Sequence, residues 1–149
     1  MGGILYLEND YLTSDLAMPE LARYGIVRMV DNEHDFREAI DDIAKTNAWP
    51  SLVVLEQRVK WTHPEPTMPE RPASIKSEGQ TNAGIRCYDY LRSFEGTTRK
   101  IPVIFYCLDE ILPVLEARGI REDSKDFQWV KKDAGFGSLH EAIRRVLQG

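Results

Sequence analysis

The sequence predicts an α/β fold, a parallel sheet with helices on both faces. Three observations point there. Short apolar runs alternate with amphipathic segments five times along the chain, the rhythm of repeated strand–helix units. The run Leu52-Val53-Val54-Leu55 is unbroken and rich in branched side chains, as expected of a strand covered on both faces. The 149 residues, 42% hydrophobic and 29% charged, describe one globular domain, since domains usually hold roughly 100–200 residues.

Taken in order, Ile4-Leu5-Tyr6-Leu7 is the first strand and stops at Glu8-Asn9-Asp10. The first helix runs from Thr13 to Tyr24, with Pro19 inside it. Proline removes a hydrogen bond and crowds the preceding turn, so this helix is expected to kink or split. Ile26 to Val30 is the second strand, introduced by Gly25. From Asp35 a helix presents Phe36, Ala39, Ile40 and Ile43 on one face, with Asp35 and Glu38 spaced as a capping box. After the third strand, Ile85, Tyr88, Leu91 and Phe94 form a helical stripe behind Gly84. Ile101 to Leu108 is the fourth strand and tolerates Pro102 near its start. Ile111 to Arg118 is a helix stopped by Gly119. Phe127 to Val130 is the fifth strand, and Ser138 with Glu141 opens a last helix carrying Leu139, Ile143 and Val146 inward.

Residues 57 to 83 break the rhythm. They contain Pro64, Pro66, Pro69 and Pro72 and few apolar side chains, and they exceed the usual 2–6 residues of a strand-to-helix loop. The segment leaves the C-terminal end of the third strand, the edge where open α/β sheets bind ligands. It reads as a surface insertion or as a lid or partner-binding arm, with Trp61 and His63 as its anchors.

Composition excludes several classes. Nineteen Lys+Arg against 24 Asp+Glu give a net charge of -5, which argues against nucleic-acid binding because phosphate neutralisation needs clustered cations. Arg144 and Arg145 with Lys131 and Lys132 are read as a solvated face. Two cysteines, Cys87 and Cys107, make no disulfide framework or metal-ligand spacing, so a reducing, cytoplasmic setting is expected. The N-terminal apolar run is too short for a secretory leader, and no stretch has the roughly 20 apolar residues that span a bilayer. No phosphate-binding glycine loop or nucleophile elbow is present. His34, His63 and His140 are dispersed and expected at the surface. Cys107 at a strand end reads as a small buried residue.

A parallel sheet gathers strand ends at one edge. Glu8, Asn9 and Asp10 follow the first strand and Glu56 follows the third, so their carboxylates converge if these strands are neighbours. Like charges held close need a compensating cation, which Lys131 or Lys132 after the fifth strand can supply. Scattered acids at strand ends are also common, and the spacing alone leaves both readings open.

With these residues in view, the chain resembles the receiver domain of two-component response regulators, over nearly its whole length apart from residues 57–83. ILYLEND resembles the first strand with its acidic cluster, SLVVLE the third strand ending at the phosphoacceptor, and GIRCYDYLR the third helix behind its glycine. IPVIFYCL resembles the fourth strand, FQWVKKD the fifth and HEAIRRVL the last helix. The resemblance implies a flavodoxin-like, doubly wound five-stranded sheet in the order 2-1-3-4-5. It also implies a phosphorylation pocket, and there this chain departs. Glu56 stands where receivers carry the phosphoacceptor aspartate. Glu8 and Asn9 stand for the two acids that hold Mg²⁺, and Cys107 for the hydroxyl residue that binds phosphoryl oxygens. Lys132 keeps the lysine position and Trp129 that of the rotating aromatic, while Asp133 replaces the usual proline.

Each departure disfavours phosphoryl transfer. Glutamate places its carboxylate one C–C bond farther out, within direct reach of Lys132. Asn9 removes an anionic ligand from Mg²⁺, and a thiol is a weak donor beside a hydroxyl. The expectation is an atypical, non-enzymatic receiver that works without phosphorylation and without a cofactor, with Glu8 and Glu56 as weak metal candidates at most. It would signal by binding a protein through the face of the fourth helix, fifth strand and fifth helix, or through residues 57–83. That face includes Trp129 and the segment from Leu139 to Leu147. No output domain is expected to follow the last helix, and a homodimer is compatible with this reading. The alternatives are a working phosphorelay receiver with an unusual acceptor, or a small metal-dependent hydrolase under the proline-rich segment.

Overall fold

A computed structural model of the chain describes residues 2–62, 82–94, 101–119 and 127–148. Its elements are β1 (Ile4–Leu7), α1 (Tyr11–Leu21), β2 (Val27–Val30), α2 (Glu33–Thr46), β3 (Leu52–Leu55), α3 (Ala83–Arg92), β4 (Val103–Cys107), α4 (Leu112–Glu116), β5 (Phe127–Lys131) and α5 (Phe136–Gln148). The strands form one five-stranded sheet in the order β2-β1-β3-β4-β5, and every pairing is parallel. The doubly wound architecture read from the sequence is therefore the observed one.

Strand alternation divides the core into two layers. Leu5, Leu7, Val53, Leu55 and Phe105 pack with Phe36 and Ile40 of α2 and Leu91 of α3. Ile4, Tyr6, Leu52, Val54, Ile104 and Tyr106 pack with Ala17 and Leu21 of α1 and Leu139 and Ile143 of α5. The β1 and β3 residues in both layers are almost wholly buried, which is why these two strands read as unbroken apolar runs. Burying each such side chain contributes about 1.5–3 kcal/mol.

Several boundaries differ from the sequence reading. α1 begins at Tyr11 and stays one element through Pro19. The proline lies in the last turn, and the carbonyl it leaves without an intrahelical donor belongs to exposed Asp15, where water can serve it. α2 begins at Glu33, ahead of the Asp35 start. Its N-cap is Asn32, whose Oδ1 accepts from the Asp35 amide at 2.8 Å and whose Nδ2 donates to Asp35 Oδ2 at 3.0 Å. The next amides, of Glu33 and His34, donate to the carbonyls of Lys60 and Trp61. Those acceptors arrive from the segment after β3, so the early start is a tertiary effect. α5 likewise starts at Phe136, which places Ser138 inside its first turn. α4 is short, and Gly119 follows it at φ +77°, as its role as a stop requires.

Of the long 57–83 connection, residues 57–62 and 82–83 are described. Pro64, Pro66, Pro69, Pro72 and His63 lie outside the described residues, and so does any lid. Trp61 is buried against α2, its ring edge-on to His34 at 5.3 Å and 5.8 Å from the Arg37 guanidinium. It anchors the start of the segment on α2.

Gly84 meets that same segment. Its amide donates to the Gln57 carbonyl at 3.0 Å, and the Ile85 amide donates to Gln57 Oε1 at 2.9 Å. A Cβ at position 84 would lie 2.5 Å from the Glu56 carbonyl oxygen and 2.7 Å from Gln57 Cα. Alanine favours a helix interior over glycine by about 1 kcal/mol, but forcing atoms into a packed contact costs about 1–3 kcal/mol. The backbone contact should win, so Gly84→Ala is expected to lower the chemical-denaturation midpoint. A raised midpoint would contradict this.

Candidate functional site

Parallel pairing in register brings the ends of β1, β3 and β5 to one edge. Leu7 aligns with Leu55, so Glu8 and Glu56 emerge side by side. The chain beyond β5 turns through a short 3₁₀ segment, Lys132–Ala134, which aims Lys132 back over the sheet. The ammonium Nζ lies 2.7 Å from Glu8 Oε1 and 2.7 Å from Glu56 Oε1. The remaining carboxylate oxygens are also engaged. Glu56 Oε2 accepts from the Gln57 amide at 2.6 Å and Glu8 Oε2 from the Asp10 amide at 3.2 Å. Tyr6 donates its hydroxyl to Glu8 Oε1 at 3.3 Å.

This cluster is largely closed to water. Glu8 is 0% exposed and Glu56 9%. Burial pushes the Glu8 carboxyl above its ordinary range, against the opposing hydrogen bond and charge of Lys132. For Lys132 burial acts downward, but hydrogen bonds to Glu56 and Glu8 and their charges outweigh it and hold the ammonium above its usual range. Tyr6 is driven far up by burial and the neighbouring Glu8 charge, so its hydroxyl stays a donor.

The other residues singled out in the sequence fall in different places. Asp10 is exposed and caps α1, accepting from the Leu12 amide at 3.2 Å and from Thr13 Oγ1 at 2.6 Å. The anticipated acidic cluster thus loses one member to a helix end, an ordinary use of aspartate. Asn9 is half-buried beside the pocket. Cys107 is buried at the end of β4, its Sγ 3.5 Å from the Asp109 carbonyl oxygen. Burial, then the Glu56 charge, push its thiol up to about 12. Trp129 is half-buried against the core. Its indole N–H is buried with no hydrogen-bond partner of ordinary geometry among the described residues, while the same indole holds the Cys107 thiol down slightly.

A thiolate nucleophile is therefore not available at position 107 near neutral pH. Cys87 is also buried, and its thiol is likewise raised by burial. Both thiols are expected to react with a maleimide or disulfide reagent only as fast as the protein opens. Rapid stoichiometric labelling of the folded protein would refute this.

The cations around the last helix, read as a solvated face, are exposed at Lys131, Arg144 and Arg145 but not at Lys132. Lys132 is in the pocket, Lys131 pairs with Asp133 at 3.6 Å, and Arg145 reaches Glu141 at 2.5 Å. His140 is not a surface residue. It is buried between α1 and α5, with Nδ1 2.7 Å from the Tyr24 hydroxyl and Nε2 2.7 Å from Glu20 Oε1. Three contributors escaped the sequence reading. Gln57 caps α3 from within the site. Arg58 clasps Asp109 through Nε at 2.9 and 3.0 Å, joining the chain after β3 to the chain after β4. Glu33, wholly buried, binds Arg86 at 2.8 Å and Arg37 at 3.2 Å. No local pattern marks these residues, because each partner comes from another element or from a helical turn whose start was misplaced.

No protein-family model matches the chain, and no curated protein matches it. Solved structures do. A two-component response regulator from Cytophaga hutchinsonii superposes with a TM-score of 0.64 at 16% identity, over 100% of this chain and 98% of the other. A response regulator receiver protein from Sinorhizobium medicae WSM419 gives 0.64 at 16%, covering 99% and 95%. The chain has the receiver fold. The BeF3-activated N-terminal receiver domain of Klebsiella pneumoniae RstA also matches, with a TM-score of 0.60 at 15% identity over 99% and 100%. Glu56 thus lies at the C-terminal end of the central strand of a receiver fold, with Lys132 directly opposite. The donor set does not fit Mg²⁺. The Lys132 ammonium lies between the two carboxylates that would have to ligate the ion, and Asn9 adds no charge where octahedral oxygen ligation favours it. Among the described residues, no helix is long and apolar enough to cross a membrane.

Proposed function

We propose that this chain is an atypical signal-transduction receiver whose switch pocket is set without phosphorylation, and that it acts by binding a protein partner rather than by catalysis. One observation carries the reading: Lys132 is held at 2.7 Å by both Glu8 and Glu56. In a phosphorylated receiver the lysine engages the phosphoryl group. Here two resident carboxylates already engage it, and both oxygens of Glu56 are occupied. The longer glutamate side chain also fills space that an incoming phosphoryl group needs. The buried, weakly acidic Cys107 thiol adds a poorer donor than a hydroxyl.

A module of this kind signals through its surface. The face of α4, β5 and α5 offers exposed Val114 on α4 and exposed Arg144 and Leu147 on α5, a mixture of apolar and charged groups suited to a protein partner. Its Leu139 and Ile143 are committed to the core, and so is Ile111 ahead of α4, so substitutions that probe docking belong at the exposed positions. The site calls for no cofactor, and a reducing, cytoplasmic setting accords with the two free cysteines.

Amide NMR during addition of Mg²⁺ and then beryllofluoride, a mimic of aspartyl phosphate, tests the reading. The expected result is no saturable shift around Glu56, Cys107 and Lys132 in the folded protein. Saturable shifts spreading from Glu56 to Trp129 would overturn it and favour a phosphorelay receiver. Saturable shifts with Mg²⁺ alone would favour metal chemistry at Glu8 and Glu56.

A further inference from the structure

The opposite end of the sheet carries a second feature, independent of the switch pocket. Between the start of β2, the C-terminal half of α2 and the chain leading into β3 lies an open cleft of about 660 Å³, floored by Ile43, Trp49 and Pro50. Two charged side chains line it, Arg28 from β2 and Asp42 from α2. Both are exposed, and neither side chain has an ion pair or hydrogen bond among the described residues. Arg28 aligns with Leu5, which faces α2, so the arginine projects on the cleft side of the sheet. On the rim, Ile26 is 87% exposed, the most exposed large apolar side chain described. β2 is an edge strand. The hydrogen bonds at Ile26 and Val30 run to β1, which turns the backbone groups of Val27 and Met29 outward, with no neighbouring strand among the described residues.

We propose that this rim is a self-association surface and that its occupant is a second copy of this chain related by a twofold axis. An isologous contact requires both halves of every complementary pair on one patch. This patch has them: a cation and an anion that are unpaired among the described residues, and an apolar knob beside an apolar recess. Across a twofold axis each Arg28 meets the other copy's Asp42, and each Ile26 enters the other copy's cleft. The surface lies away from the face of α4, β5 and α5, so the two can be occupied together.

Sedimentation velocity on the full chain over a concentration series, with a charge-swap mixing experiment, tests this. The wild type is expected to show a concentration-dependent dimer. R28E and D42K each place like charges opposite one another twice and should each raise the dissociation constant at least about tenfold. Mixed in equal amounts, these two variants should re-form a dimer. The carboxylate introduced by R28E then faces the ammonium introduced by D42K, and the remaining Asp42 faces the remaining Arg28. All three positions are at the surface, so unchanged circular dichroism separates loss of association from loss of fold, and I26D supplies a third, uncharged-to-charged probe. A wild type that stays monomeric at the highest soluble concentration overturns the proposal. So does a dimer indifferent to R28E, D42K and I26D, or a pair of monomeric variants that mixing does not restore.

Discussion

Replacing Lys132 with methionine is expected to remove about 3–5 kcal/mol of folding stability near neutral pH, the usual effect of stranding a buried charge by deleting its partner. The substitution leaves Glu8 and Glu56 facing each other with no cation, and Glu8 has no access to water. The deficit should depend on pH with a definite sign. Glu8 already has a raised carboxyl pKa in the fold. A raised acid binds more protons folded than unfolded, so its contribution falls as pH rises from the ordinary carboxylate range of about 4–4.5. Without Lys132 the shift grows, and the variant should be closest to wild type in acid and lose ground toward neutrality. In the wild type, Lys132 is itself raised, so its stabilisation is complete below the ordinary lysine range of about 10.4 and is lost as pH climbs through the higher folded value. Denaturant unfolding from acid to neutral pH measures the first effect. A deficit that is flat with pH, or largest in acid, would mean the carboxylates are not held by Lys132 as the geometry indicates. Glu8→Gln in the Lys132→Met background should recover part of the loss.

The second large effect is expected at Glu33. This residue is wholly buried and binds both Arg86, itself nearly buried, and Arg37. Arg37 additionally lies 4.9 Å from the Tyr90 ring and 5.8 Å from that of Trp61. Glu33→Ala removes a wholly buried carboxylate that binds two guanidinium groups, and a loss of about 3–5 kcal/mol is expected. Because the Glu33 amide also donates to the Lys60 carbonyl, the segment leaving β3 should loosen from α2, and amide exchange at His34 and Glu33 should quicken before that of the sheet. Adding Arg86→Met should recover part of the stability, since a buried ion pair replaced by apolar groups is often nearly neutral. A single variant within about 1 kcal/mol of wild type would show that the cluster adds little net stability.

These two clusters were legible to different degrees. Glu56 stood out because it directly follows an apolar strand run, and Lys132 because the order of those runs resembles a receiver. Glu33 did not, because the helix was expected to begin at Asp35, and Glu33 then belonged to a loop. The early start rests on carbonyls of Lys60 and Trp61, which reach α2 from beyond β3. His140 was misplaced for a related reason. On α5 it reads as a polar residue facing solvent, whereas Glu20 of α1 and Tyr24 in the turn after it supply partners for both ring nitrogens.

The sequence by itself determined the order of strands and helices and the two-layer core, because hydrophobic periodicity is a local property and each element carries its own period. It also placed Glu8, Asn9, Glu56, Cys107, Trp129 and Lys132 at strand ends or in β5. Only the tertiary structure decided which polar group meets which. Lys132 bonds Glu8 across 124 residues and Glu56 across 76, while Asp10, two residues from Glu8, turns away to cap a helix. Polar partnership depends on distance in space and on competition among nearby donors and acceptors. Neither is written in the spacing of residues along the chain.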